Sequence, residues 1–297
     1  MTTFKFDSSE SNSIHINLNN RNTIFTTLDY LSNIDFSFEN YIINIEYKCS
    51  NYVDCDSYLV IVALVNELKR VGKAVVVNFN TDQECSTIRY ASRIDFFKHT
   101  GILYQENFQR RNTRDSLLEI THIDKDCMGL SDELLGLFES NFRLSEEELE
   151  PLIFSFDELI CNATLHSASN NGGYIYCQKF KKSNFLNIII ADCGMGVKST
   201  LNRKYPDYNN AQSLNECIKF GVTCGNGRGH GLYLVAELLM RNKGKFCLIS
   251  GENHIFTELN QQKIGYNAHW QGTIVKCSFN LNEPLPIREL FDELNYS

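Results

Sequence analysis

The sequence predicts two α/β domains, and three observations point to that class. Apolar strand-like runs alternate with helical ones in the first third of the chain. A strongly polar stretch, Gln109 to Asp115, then interrupts the pattern. Beyond it a long helix precedes a series of strands and two glycine-rich segments. A length of 297 residues agrees with two domains.

The elements follow in order. Residues 1 to about 25 are polar and weakly patterned, with one short strand at Ile14 to Leu18. Tyr41 to Tyr47 (YIINIEY) alternates as a half-buried strand does. Asp54 to Ser57 supplies cap candidates for a helix that ends at Gly72. Lys73 to Phe79 is a buried strand, and a helix is expected from about Asp82 to Phe97, giving a small α/β domain over residues 1–112. Residues 113–144 are expected to connect the domains, carrying a strand at Leu117 to Ile123 and a helix at Ser131 to Phe142.

The second domain is expected over 145–283. Ser145-x-x-Glu148 reads as a capping box for the long helix, with Pro151 close enough to its start to be tolerated. Strands at Gly173 to Phe180 and Asn184 to Ala191 flank a lysine-rich turn. Residues 197–225 are loop-like apart from a helix at Gln212 to Phe220. A helix from Gly231 ends near Gly244, and strands at Lys245 to Ser250 and Gly272 to Asn280 close the domain. Residues 284–297 form an acidic, amphipathic tail.

Composition excludes several classes. A net charge of −8 and a pI near 5.4 argue against nucleic-acid binding, which needs a basic surface. The longest apolar run, Tyr58 to Val65, is too short to cross a bilayer, and the polar N-terminal stretch has no signal-peptide pattern. None of the 11 cysteines forms a C-x-x-C pair, and several, such as Cys177, Cys247 and Cys277, lie in apolar runs. They read as reduced core residues of a cytoplasmic protein.

Three motifs carry chemistry. Within the long helix, Glu158, Asn162 and His166 stand four residues apart, each step rising about 6 Å and turning little more than one full circle. They share a face, while Leu159, Ile160, Ala163 and Leu165 supply apolar surface. Next, the strand ending at Ala191 runs into Asp192-Cys193-Gly194-Met195-Gly196. This puts a carboxylate at a strand tip beside glycines that admit a flat ligand, and a carboxylate there suits an exocyclic amine such as adenine's. Taken alone, the pattern equally describes a plain turn. Third, Gly225, Gly227, Gly229 and Gly231 alternate and feed a helix. Free N–H groups at such a helix start favour phosphate; a surface loop is the alternative.

In this order and spacing, E-x-x-x-N-x-x-x-H, D-x-G-x-G and G-x-G-x-G-L resemble the GHKL (histidine kinase-like) ATPase superfamily over roughly Ser145 to Leu281. Trp270-Gln271-Gly272-Thr273 adds a threonine where the family places one beside the adenine-binding aspartate. The resemblance implies a Bergerat α/β sandwich of helices on a mixed sheet, binding ATP and Mg²⁺. It implies that Asn162 ligates Mg²⁺ and Glu158 is the general base. Asp192 would read adenine with Thr273, and Gly194 and Gly196 would admit the purine. Gly227, Arg228, Gly229, His230, Gly231 and Leu232 would line the phosphates, and 197–225 would form a lid. His166 reads either as a site residue or as a structural histidine.

E-L-I-C-N-A-T-L-H-S is most similar to the anti-sigma-factor serine kinases. That implies hydrolysis of ATP or transfer of the γ-phosphate to a protein Ser/Thr, with a regulatory protein as partner or substrate and a possible homodimer. An ATP-gated interaction switch is the alternative. A sensor histidine kinase fragment is less well supported, since His99 and His122 lack a phosphoacceptor context. Gyrase-type ATPases need a second domain beyond the short stretch after Leu281. The first domain resembles the STAS (anti-sigma-antagonist) family, which often carries a phosphoacceptor serine at the start of this helix. Ser57 is the nearest hydroxyl, Tyr58 holds the aligned position, and an N-cap role for Ser57 is the expectation.

Overall fold

The computed structural model describes residues 11–18, 23–32, 34–47, 53–81, 86–110, 115–124, 128–142, 144–165, 172–222, 231–259 and 261–295. The chain divides into two units, Met1–Asn112 and Thr113–Ser297. The class is α/β: among the described residues there are ten helices, one parallel three-stranded sheet and one antiparallel five-stranded sheet.

In the first unit, β1 (Ser11–Leu18), β2 (Asn40–Tyr47) and β3 (Ala74–Thr81) lie side by side in that order, all parallel. Parallel neighbours need crossovers, and α1 (Ile24–Leu31) and α2 (Cys55–Arg70) provide them. Alternation puts Ile14, Ile16 and Leu18 of β1 with Tyr41, Ile43 and Ile45 of β2 in the core, and leaves Ser13, His15 and Asn17 exposed. Every residue of α2 from Cys55 to Val65 is buried, which accounts for its lack of a polar face. Two expectations are corrected. Asp54, not Ser57, stands at the cap of α2. Ser57 is fully buried inside the first turn, where its Oγ accepts a 2.8 Å hydrogen bond from Thr27 Oγ1. The single helix expected over 82–97 is instead α3 (Ser86–Arg93) and α4 (Phe96–Thr100). They are separated because Asp95 adopts a left-handed φ of 64°, which aspartate tolerates better than most residues.

The second unit contains β4 (Leu117–Ile123), α5 (Met128–Asn141), α6 (Glu146–Leu165), β5 (Gly173–Phe180) and β6 (Phe185–Asp192). After these come α7 (Gly196–Leu201), α8 (Asn210–Cys217), α9 (Gly231–Arg241), β7 (Lys245–Glu258), β8 (Gln261–Asn280) and α10 (Ile287–Asn295). The strand order is β4-β5-β6-β8-β7. Every pairing is antiparallel, so the expected mixed sheet is corrected. Connectivity accounts for two of the four pairings: β5 leads directly into β6 and β7 into β8, and a hairpin can only pair strands antiparallel. The segment between β6 and β7 crosses over β8, which then fills the gap between them.

One core joins Leu152, Phe156, Leu159, Ile160 and Ala163 of α6 to Leu234, Leu238 and Leu239 of α9 and to the sheet face bearing Ile188, Ile190, Val275 and Phe279. The stretch expected as a connector belongs to this core. Leu118 and Ile123 of β4 and Leu134 and Phe138 of α5 are buried in it, and Phe138 meets the ring of Phe279 edge-on at 5.0 Å. The expected tail belongs to it as well, through Leu285, Ile287 and Leu290. Asn242, fully buried, donates to the carbonyls of Asn280, Glu283 and Pro284 and accepts from Asn280 N–H at 2.6 Å, which fastens the approach to α10. In both stretches apolar residues are too sparse to announce a core of their own, and they are buried only because the sheet and α6 supply the other side.

Cys55, Cys177, Cys247 and Cys277 are buried, whereas Cys161 is exposed. Burial pushes the Cys177 and Cys277 thiols above their ordinary range, so they stay protonated at neutral pH. Among the described residues no helix is long and apolar enough to cross a membrane.

Candidate functional site

Helix α6 starts on half of the expected capping box: Ser145 N–H donates to Glu148 Oε2 at 2.8 Å, but Ser145 Oγ donates to the same oxygen at 2.8 Å, while Glu148 N–H donates to the Ser145 carbonyl. Three turns on, the buried stripe of Leu159, Ile160 and Ala163 faces the core. The opposite side carries Glu158, half-buried, and Asn162, exposed. Neighbouring Asp157 accepts from Ser131 Oγ of α5, which ties the two helices together. His166 lies outside the described residues.

Glu158 reaches α9. Its Oε2 accepts a hydrogen bond from the backbone N–H of Gly231, the first residue of that helix. The approach is close: a Cβ on Gly231 would stand 2.5 Å from Glu158 Cβ and 3.2 Å from Ser155 O. Gly231 is therefore required first for packing of α9 on α6. Leu232 is half-buried against the core. Gly227, Arg228, Gly229 and His230, with Gly225, lie outside the described residues.

The tip of β6 forms the second part. Asp192 is 6% exposed. It sits opposite Thr273 of β8 and Gly173 of β5, and its Oδ1 accepts from Gly194 N–H at 2.8 Å. That bond holds one carboxylate oxygen in the turn. Gly173 links this tip to α6, since a Cβ there would lie 3.2 Å from Ala163 Cβ and 3.4 Å from Asp192 Cβ. Gly196 has φ +73°, a conformation L side chains rarely adopt, and a Cβ would stand 2.6 Å from Ser250 Oγ. A Cβ on Gly272 would collide with the Asp192 carbonyl. Beside the tip, Tyr174 is buried, and its hydroxyl is pushed up to about 12, first by burial and then by Cys193.

Several residues of this site had no role assigned from sequence. Trp270 donates from Nε1 to the Asp192 carbonyl at 2.9 Å. Ser250 Oγ accepts from Val197 N–H at 3.0 Å and donates to the Gly272 carbonyl at 2.8 Å. Asn210 Nδ2 donates to the Ser250 carbonyl at 2.8 Å. Trp270 stood in the motif that supplied Thr273; nothing in the local pattern singles out Ser250 or Asn210. The stretch 197–225, expected to be loop-like apart from one helix, carries two among its described residues, α7 and α8, with Leu201 and Leu214 buried and Asn210 bonded to Ser250 and Asn253.

A buried acceptor walled by Gly196 and Gly272, where side chains would strike backbone or Ser250, and bonded to Gly194 N–H, fits a flat base with an exocyclic amine. An exposed carboxamide at Asn162, one turn from the Glu158 carboxylate, is the right oxygen donor set for one or two ligands of Mg²⁺, which keeps several waters. Compared with known proteins, the chain matches no family model and no curated protein.

Proposed function

We propose that the second unit is a GHKL-type ATP-binding domain with the Bergerat architecture, dependent on Mg²⁺. In this reading it hydrolyses ATP or passes the γ-phosphate to a Ser/Thr of a regulatory protein in the cytoplasm. Asp192 and Thr273 take the adenine, with Gly194 and Gly196 beneath it, and Gly231 and Leu232 follow the phosphate loop. Asn162 holds the metal. Bound Mg²⁺ supplies charge neutralisation across the phosphates. Glu158 accepts the proton of the attacking hydroxyl, from water or protein. The first unit is a STAS-like docking or sensing module; buried Ser57 is unsuited to phosphorylation.

One observation carries this reading. One residue of each motif, Glu158, Asp192 and Gly231, is tied to α6 through two close contacts, Glu158 to Gly231 and Gly173 between Ala163 and Asp192. A second reading, an ATP-gated interaction switch without turnover, is favoured by the first of those contacts. A phosphate that takes the Gly231 N–H must displace Glu158, so binding at α9 is felt on α6. A single-turnover assay with γ-labelled ATP separates the readings: label on protein means kinase, free phosphate means ATPase, and bound but intact ATP means switch. ATP that does not bind at all refutes both.

A further inference from the structure

Trp270 is the only tryptophan of the chain and is 4% exposed. It does not sit in a regular ladder. Ser250 of β7 pairs with Thr273 of β8, but Gly251 pairs with Trp270, so Gln271 and Gly272 are extra residues on β8. Such a bulge bends its strand and re-aims the side chains beside it. Here it turns the indole across to β6, whose pairing with β8 ends at Asp192 opposite Thr273. The Asp192 carbonyl at that end receives Trp270 Nε1–H at 2.9 Å. The bulge is held from its other side by Ser250, which is 1% exposed. Its Oγ donates to the Gly272 carbonyl and accepts from Val197 N–H, the residue after the left-handed Gly196.

Trp270 and Ser250 therefore grip the D-x-G-x-G turn at its two ends, one at Asp192 and one at Val197, and both act through the Gln271–Gly272 bulge. Neither need touch a ligand. We infer that they are positioning residues for base selection, and that the bulge of β8 fixes the Asp192 carboxylate where it accepts the amine of adenine and rejects a base carrying a carbonyl there. This rests on the nucleotide-binding reading above. The physical ground is that a binding group must be held to about 0.5 Å by neighbours that are themselves locked.

The test is calorimetric titration of the full chain with ADP, GDP and magnesium tripolyphosphate, comparing wild type with Trp270→Phe and Ser250→Ala. Phenylalanine keeps most of the ring volume and removes only the donor. The expected result for each variant is ADP affinity about tenfold weaker or more, Trp270→Phe losing one hydrogen bond and Ser250→Ala two. The ADP-to-GDP preference shrinks by the same factor, and tripolyphosphate affinity stays within about twofold. In wild type, ADP also changes the emission of the lone tryptophan. A variant pair that keeps its ADP-to-GDP preference overturns the inference, and so does equal loss of ADP and tripolyphosphate, which is what general loosening produces. If Trp270→Phe does not fold, Ser250→Ala decides by the same ratios. Wild type that binds no ADP removes the nucleotide reading itself, a result separable from the others.

Discussion

Replacing Gly231 with alanine sets two effects of known size against each other. Gly231 begins α9 with an ordinary backbone, so alanine's helix propensity favours the variant by up to about 1 kcal/mol. Against this, the new methyl would stand 2.5 Å from Glu158 Cβ, 2.6 Å from its Oε2 and 3.2 Å from the Ser155 carbonyl. Carbon atoms pack at about 3.5–4.0 Å, so α6 and α9 must part by roughly 1 Å in a core that joins Leu159 to Leu234. Overpacking of that kind costs about 1–3 kcal/mol. Only the carboxylate end can swing away; Glu158 Cβ and the Ser155 carbonyl are fixed to the helix. The clash wins, for a net loss of about 1–2 kcal/mol, which lowers the melting temperature of the second unit by roughly 2–8 °C. Gly136 of α5 is the control, because a Cβ there meets nothing within 4 Å; alanine should raise the melting temperature by about 2–4 °C. Calorimetric melts of the two variants beside wild type make the comparison. A Gly231→Ala protein as stable as Gly136→Ala would show that α6 and α9 do not approach as described.

Glu158→Ala should keep ATP affinity or tighten it, because Gly231 N–H is freed for phosphate, while turnover falls about 10²- to 10⁴-fold; unchanged phosphate release removes Glu158 from its role. Asp192→Asn should abolish ADP binding by calorimetry, and a normal dissociation constant would exclude adenine recognition at that strand tip. The Glu148 carboxyl is held below its ordinary value of 4.5, first by the Ser145 N–H, with burial opposing and the Ser145 hydroxyl and Arg288 assisting. A depressed carboxyl stabilises the fold above its unfolded value and loses that effect as pH falls through the folded one. Glu148→Gln should therefore flatten the stability loss below about pH 4.5, and an identical acid limb in urea melts would contradict the cap. Asn242→Ala strips partners from four part-buried backbone groups and should cost about 2 kcal/mol, read as a lower denaturant midpoint.

Much of the local structure was legible because its signals are local. The alternation of Tyr41 to Tyr47 is a strand whose odd-numbered residues are buried, and Glu148 accepts the Ser145 N–H at the start of α6. Where residues act at a distance, periodicity was silent. Asp95 splits a helix through one backbone angle that no pattern encodes. The hairpin from Gly251 to Trp270 was not expected, because its half-exposed strands carry too little apolar alternation. The edge strand β4 and helix α10 looked marginal because each contributes only a few apolar residues to a core built by others.

By itself the sequence determined an α/β chain, its periodic helices and strands, and a set of residues, Glu158, Asn162 and Asp192 among them, whose spacing suits nucleotide chemistry. Tertiary structure decided which of them meet. The Glu158 carboxylate finds the Gly231 N–H because two glycines let α6 approach α9 and β5. Asp192 is held by Trp270 and Ser250 because a bulge shifts the register of β8. A bulge and a close helix contact are properties of two segments packed together, and neither segment carries them alone.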